Sequence, residues 1–158
     1  MGLYNPRQTI IVTCKEKDLD NAITVSWHSP ISFNPFYYGI LVAGKRKSFD
    51  MIKNSKEFCV NFITEDMASL ALYIGTKSGR NVNKFKEKKI ATEHCEKIEC
   101  LRIKDCSAYL ECKLIKTIEL GDHFLMVGEV ISKIEGNNKK KLFQNNITGL
   151  YTFTTTVD

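Results

Sequence analysis

Hydroxyl-bearing side chains are concentrated between residues 21 and 35, along a segment that otherwise has the character of a strand. Thr24 and Ser26 stand two residues apart, and Ser29 and Ser32 follow among prolines that hold the backbone open. A strand buried in the protein's own core usually carries valine or isoleucine at such positions. The segment therefore predicts one wall of a binding site for a polar, planar ligand.

Two glycine-containing loops carry basic and hydroxyl side chains just before segments predicted to be helical. The first is residues 44–48 (GKRKS) and the second is residues 75–85 (GTKSGRNVNKF). Free backbone amides at a helix start attract anions, and basic side chains strengthen that attraction. One such loop is weak evidence, because Ser48 could simply cap its helix while the basic side chains stay solvated. Two loops beside a hydroxyl-rich segment point to a phosphorylated ligand, although the P-loop pattern is absent.

The histidines offer candidates for acid–base chemistry. His123 follows Gly121 and Asp122 in a predicted turn and is the first candidate for a catalytic group. A turn histidine can equally be structural and cap the loop together with Asp122, so both interpretations stay open. His28 stands beside the hydroxyl-rich segment and is a second candidate, whereas His94 lies in a charged loop and is expected at the surface.

The elements that must position these groups are mostly strands. Runs rich in β-branched and aromatic residues predict strands at residues 9–14, 22–27, 36–43, 57–63, 108–118, 124–134 and 150–154. Short helices are predicted at residues 48–55 with Ser48 as N-cap, at 67–74 and at 81–88. The second has an apolar stripe of Met67, Leu70, Ala71 and Ile74. Together they predict a mainly β fold, a mostly antiparallel barrel with a few short helices.

Composition narrows the classes of protein. A chain of 158 residues suits one domain, residues 1–158, with one core. The net charge of +5 fits an anionic small ligand but is too weak and dispersed to favour nucleic acid. No apolar run approaches the roughly 20 residues of a membrane helix. The first residues lack the apolar segment of a secretory signal, so we expect no membrane partner and a cytoplasmic location.

The six cysteines show no CxxC spacing. In a cytoplasmic protein this pattern predicts reduced, buried thiols that act as small apolar side chains. A metal site is not expected.

The ordered set of motifs resembles a known family, the flavin reductase-like, FMN-binding split-barrel proteins, which include flavoredoxin. The pattern N-x-x-T-x-S-W-x-x-P-x-S-x-x-P runs from Asn21 to Pro35. The basic pair before Ser48, the EFCVN run at residues 57–61, the GTKSGR loop at 75–80 and the GDH turn at 121–123 are also similar to that family. Each motif is loose, but their order covers nearly the whole chain. The resemblance implies a split β-barrel.

The resemblance also implies roles for individual residues. The flavin ring of FMN would lie against a wall formed by Thr24, Val25, Ser26 and Trp27 and continued by Ser29 and Ser32. The phosphate would meet Arg46, Ser48, Lys77, Ser78 and Arg80. His123 would lie near the flavin and the nicotinamide as the tentative catalytic residue. Trp27 would stack near the ring, although a place in the core at the barrel edge remains the alternative.

The function implied by the resemblance is that of an NAD(P)H-dependent flavin reductase or a flavoredoxin-like electron-transfer protein. FMN would be its cofactor, NADH or NADPH its electron donor, and a homodimer its assembly, with a redox protein as one conceivable acceptor. Gln144 stands where relatives can carry histidine, which leaves donor and acceptor open. Two alternatives are a non-catalytic FMN store or sensor and a small basic barrel that binds single-stranded nucleic acid through Tyr37, Tyr38 and the lysine runs.

Overall fold

The structure, a computed structural model, describes residues 3–145 and the backbone of residues 152–155. Within these residues the chain forms twelve strands and three α-helices. The strands are β1 (Arg7–Gln8), β2 (Ile10–Glu16), β3 (Leu19–Val25), β4 (His28–Phe33), β5 (Phe36–Ala43), β6 (Glu57–Phe62), β7 (Thr92–His94), β8 (Leu101–Ile103), β9 (Ala108–Leu120), β10 (His123–Glu135), β11 (Leu142–Asn145) and β12 (Thr152–Thr155). The helices are α1 (Lys47–Ser55), α2 (Ala68–Thr76) and α3 (Lys84–Lys88).

The main sheet has seven antiparallel strands in the order β3-β2-β6-β9-β10-β5-β4. Its two end strands do not pair with each other, so the sheet is not closed, as in a split barrel. A backbone hydrogen bond of 2.9 Å from Leu41 to the carbonyl of Trp27 joins the β3–β4 connection to β5. The prediction of a mainly β split barrel with short helices is confirmed. Sheet β1-β11-β12 and hairpin β7-β8 flank it.

The two faces of the main sheet bury separate apolar clusters, because side chains alternate along each strand. On one face, α1 contributes Met51 and Ile52, which join Val12 of β2. On the other, α2 contributes Ala71 and Ile74, which join the neighbouring Ile11. The stripe predicted for the second helix is therefore confirmed, with its remaining members, Met67 and Leu70, packed against the same cluster.

Most predicted strands agree with the structure to within two residues at each end, and the strand at 36–43 has the predicted bounds. The second strand is shifted relative to the predicted range 22–27: it begins at Leu19 and ends at Val25, so Ser26 and Trp27 form the connection to β4. The sequence did not predict β4, because prolines are rare in sheet interiors. Pro30 is tolerated since β4 is an edge strand. Of the strand predicted at 150–154, residues 150 and 151 lie outside the described part of the chain.

The three helix starts differ from the prediction by one to three residues, and the caps of α1 and α3 explain two of these differences. Ser48 is wrong as the N-cap: Arg46 takes that position with extended backbone, and Ser48 is buried inside the first turn. The third helix begins at Lys84 rather than residue 81, where the Asn83 side chain accepts a hydrogen bond from the Lys86 amide at 3.1 Å. Asparagine competes well for a cap because its side chain replaces a missing helical acceptor.

All six cysteines are free thiols, as predicted, and five of them are buried, with Cys95 half-buried. Burial raises the pKa of the Cys14 thiol to about 12, so this side chain is neutral at physiological pH. No helix in the described part of the chain is long and apolar enough to cross a membrane.

Candidate functional site

An open cavity of about 610 Å³ lies where β3 ends, beside the start of α1. Its volume falls in the range of small-molecule sites, about 300–1,000 Å³. The β3–β4 bend forms one wall, and the loop from β5 to α1 forms the opposite one. The turn between β9 and β10 and Gln144 of β11 complete the lining. Of the residues proposed from the sequence, the lining includes Thr24, Val25, Ser26, Trp27, Arg46 and His123.

The backbone of β3 supplies polar groups along the cavity wall. This strand ends the main sheet, so its outer edge pairs with no other strand of that sheet. The carbonyl of Ala22 points to this outer edge, where it accepts a hydrogen bond from Lys84. In an antiparallel strand, backbone groups two residues apart point to the same side. The amide and carbonyl of Thr24 therefore also face outward, and could meet the polar edge of a ligand.

The two hydroxyls of this wall already donate hydrogen bonds within the protein. Thr24 Oγ1 donates to the Ala71 carbonyl of α2 at 2.7 Å, and Ser26 Oγ donates to Gln144 Oε1. These bonds fasten α2 and β11 to the wall. Toward a ligand, each hydroxyl oxygen can still offer a lone pair, so both side chains are acceptors in this arrangement.

Trp27 and His123 form an aromatic pair at one side of the cavity. Their ring centroids are 4.8 Å apart at an interplanar angle of 38°, and Trp27 is 39% exposed. His123 Nδ1 lies 2.7 Å from a carboxylate oxygen of Asp122, and this hydrogen bond lowers the pKa of Asp122. The capping contact expected of a structural turn histidine is thus present, and the same ring lines the cavity.

A small recess, which we call the basic recess, adjoins the cavity and shares Arg46 with it. It lies between β3, the start of α1 and the loop before α3. Four of its lining side chains are cationic, and none of its described lining residues is a carboxylate. The polar lining residues are Asn21, Arg46, Lys47, Ser48, Lys77, Ser78 and Lys84.

Short-range contacts hold the walls of the basic recess together. Asn21 Nδ2 donates to Ser48 Oγ at 2.9 Å, and both side chains are buried. Gly79 packs directly against the Asn21 amide, leaving no room for a Cβ atom. Lys47 Nζ donates to the Gly79 carbonyl at 3.1 Å. Strand β3, helix α1 and the loop are therefore fixed relative to one another.

Lys84 is a buried cation of the recess that was not proposed as a ligand residue from the sequence. Its side chain is 4% exposed, and its Nζ donates hydrogen bonds of 2.8 Å to the carbonyls of Ala22 and Ile74. Burial lowers the pKa of Lys84 to about 8, and the charge of Arg46 acts in the same direction. Lys84 belongs to the basic segment 75–85, but three further lysines follow it closely, and such a run predicts solvent-exposed side chains.

Three proposed ligand residues lie outside both linings. Ser29 and Ser32 are on edge strand β4, and the Ser29 hydroxyl donates to the Pro30 carbonyl. Arg80 forms a 2.6 Å ion pair with Asp50 of α1, and each side chain is 49% exposed. In this arrangement the Arg80 guanidinium is held by a carboxylate rather than directed into the basic recess.

The other two histidines and Tyr38 lie outside the cavity and the basic recess. His28 is half-buried outside the cavity, with Nε2 2.7 Å from the Gln8 carbonyl and Nδ1 2.7 Å from the Tyr38 hydroxyl. Its burial lowers its pKa. His94 is exposed on β7, as predicted. Tyr38 is buried, so its ring is not available to stack on a nucleic-acid base. Across the described residues, no three His, Cys, Asp or Glu side chains are grouped to hold a metal ion.

Comparison with known proteins places this architecture. The family model of the flavin reductase like domain matches residues 1–152. An uncharacterized protein of Archaeoglobus fulgidus is 34% identical over 135 residues, which are 85% of this chain and 75% of that protein. The FMN-binding protein of Thermus thermophilus with bound p-hydroxybenzaldehyde has a TM-score of 0.87 at 21% identity, covering 100% of this chain and 91% of that chain.

Flavoredoxin from Methanosarcina acetivorans also shares the fold. Its TM-score is 0.87 at 23% identity, covering 99% of this chain and 88% of that chain. The family model spans nearly the whole sequence, and the motifs from Asn21 to His123 stand in the order that the resemblance required. The chain belongs to the flavin reductase-like domain family.

Proposed function

We propose that the whole chain, residues 1–158, is one FMN-binding split-barrel domain that serves electron transfer. The proposal rests on one observation: the cavity and the basic recess are adjacent, and Arg46 lines both of them. The cavity has room and polar edges for a flat ring system. The basic recess has four cations without a carboxylate among its described lining residues. FMN unites a flat ring with one terminal phosphate.

The residues present fit such a ligand. A buried lysine next to an arginine is costly unless an anion compensates the charge, and a phosphate would do so. Two glycines of the cavity lining also pack closely against neighbouring side chains. A Cβ atom on Gly44 would lie 2.8 Å from the Phe124 ring, and one on Gly75 would lie 3.3 Å from Thr24. Glycine at both positions lets the segments that line the cavity pack this closely against each other.

We further propose that the protein is an NAD(P)H-dependent flavin reductase or a flavoredoxin-like electron carrier. When bound, FMN would supply the redox chemistry, by accepting a hydride from a nicotinamide and passing electrons onward. The task of the chain is to hold and orient the ring: the outward amide and carbonyl of Thr24 would meet its polar edge, and Trp27 would flank it. Ser29, Ser32 and Arg80 remain weaker proposals as ligand residues, because they lie outside the two linings.

His123 is proposed as a residue near the reacting ring, not as an obligatory acid or base. Hydride transfer needs alignment of two rings rather than a proton from the protein. Because Nδ1 is held by Asp122, Nε2 is the nitrogen left to face a ligand. Its position beside Trp27 suits it to limit how deeply a second ring can enter.

Assembly and location belong to the same proposal. Phe33 is 88% exposed and Ile31 is 49% exposed, both on edge strand β4. Large apolar side chains on an edge strand favour contact with a second copy, so we propose a homodimer. Six free thiols suit a reducing compartment, and we propose the cytoplasm. NADH or NADPH and a small or protein acceptor would be the further partners.

The test is the visible spectrum of the freshly purified protein, followed by heat release and mass identification of any chromophore. We expect FMN, bound either on purification or after addition. Anaerobic titration with NADH and NADPH then separates a reductase from a storage or sensing protein, because only the reductase bleaches the flavin band. A protein that is colourless and takes up no added FMN would refute the proposal.

A further inference from the structure

We propose that Lys84 is a positioning residue: a phosphate monoester binds in the basic recess only while the side-chain amine of Lys84 is protonated. In that form it also ties the flavin-facing edge of β3 to α2. This inference rests on the proposed function, and it adds to it a charge-controlled choice between FMN and unphosphorylated flavin.

The geometry of the ammonium supports this role. An ammonium has three protons, and two of them go to the carbonyls of Ala22 and Ile74, each at 2.8 Å. These carbonyls belong to the edge strand and to α2, so the same side chain bridges the two elements that flank the recess. Since Lys84 itself lines the recess, the third proton is available to a ligand there.

The charges around Lys84 are unusual for a buried lysine. Lys84 interacts electrostatically with Arg46 at the N-cap of α1 and with Cys14 of β2. Lys47 lines the same recess from α1, and Lys77 lines it from the loop after α2. The only carboxylate of β3, that of Asp20, is influenced by the charges of Lys15 and His94.

The other described titratable side chains of the recess are therefore cations, and the Cys14 thiol outside it is neutral. Buried charges are normally paired, so this arrangement lacks the anion that would balance it. A phosphate placed there would favour the protonated ammonium and raise the pKa of Lys84 from about 8. By linkage, loss of the Lys84 proton must weaken binding of the phosphate by the same factor.

FMN and riboflavin provide the matched pair of probes, because they share the ring and differ in the phosphate. The second pKa of a phosphate monoester is near 6, so its charge is nearly constant above about pH 7.5. We expect the Kd of FMN to be flat near pH 7.5 and to rise above pH 8 by up to about tenfold per pH unit. The Kd of riboflavin should stay within about twofold over the same range.

The experiment is calorimetric titration of the ligand-free protein with FMN and riboflavin between pH 7.5 and 9.2. Wild type is compared with Lys84→Met and with Lys86→Met, which alters an exposed lysine on the same helix. Lys84→Met should weaken FMN binding at pH 7.5 by about tenfold or more, because a hydrogen bond to a charged group is lost. It should leave riboflavin binding within about threefold and abolish the pH dependence, while Lys86→Met should behave as wild type.

The outcomes separate the two proposals. If wild type binds neither flavin, the proposed function fails. If it binds both with the same pH dependence, or if Lys84→Met keeps the preference for FMN, the role of Lys84 is overturned while flavin binding stands. Should Lys84→Met fail to fold, the wild-type comparison of FMN with riboflavin decides alone, because it needs no variant.

Discussion

The buried charge of Lys84 makes the stability of the ligand-free protein depend on pH. Its pKa is lowered from 10.5 to about 8 in the folded state, by burial first and by Arg46 second. Between these two values the unfolded chain binds more protons than the folded one. The contribution of Lys84 to the free energy of unfolding therefore rises with pH through this window and is flat below it.

The expected size follows from the two pKa values. One pH unit of differential protonation corresponds to about 1.4 kcal/mol. From pH 7.5 to 9.0 the Lys84 contribution should therefore grow by about 1.2 kcal/mol. The buried thiols act in the opposite direction: with a folded pKa of about 12, Cys14 contributes stability that is lost as pH rises above 9. Only a comparison of variants isolates the lysine.

The assay is urea denaturation of ligand-free wild type, Lys84→Met and Lys86→Met at pH 7.5 and 9.0. We expect the free energy of unfolding of wild type minus that of Lys84→Met to increase by about 1 kcal/mol between the two pH values. The same difference for Lys86→Met should not change. A constant difference between wild type and Lys84→Met would refute the prediction, because it would show that burying the Lys84 ammonium does not destabilise the folded protein.

Two further predictions concern the walls of the basic recess. Ser48→Ala leaves the buried Asn21 amide without its acceptor, so stability should fall by about 1–3 kcal/mol and the thermal midpoint by several degrees. An unchanged midpoint in calorimetry would contradict this. Gly79→Ala forces a Cβ atom against the Asn21 amide and should weaken FMN binding by on the order of tenfold, with little effect on riboflavin. Equal loss for both ligands in titration would place the disturbance in the cavity instead.

Periodicity and residue type were enough to predict most of the elements. The strand at 36–43 and the stripe of α2 carry apolar side chains at the spacing their environment demands, so local pattern and tertiary burial agree. Edge strand β4 was not predicted, because a segment with Pro30 and exposed polar residues has the composition of a loop. What makes it a strand is the pairing with β5, a partner that no local signal names.

The site was predictable where it depends on the order of motifs and not where it depends on burial of polar groups. The segment from Thr24 to Trp27 indeed lines a cavity together with Arg46 and His123. Ser48 was expected to cap α1 because serine is a favoured cap. In the structure the Ser48 hydroxyl oxygen instead accepts a hydrogen bond from the side-chain amide of Asn21. Lys84 could not be distinguished from its solvated neighbours, because its burial depends on tertiary contacts with α2 and with β3, and β3 is distant in sequence.

The contact between Trp27 and His123 gives the protein a built-in optical reporter. The chain has one tryptophan, so its tryptophan emission comes entirely from the side of the cavity. The His123 ring packs against this indole at a centroid distance of 4.8 Å, so a ligand that enters the cavity changes the surroundings of both rings. Tryptophan emission alone could thus follow the arrival of any coloured ligand, without a label or a substitution.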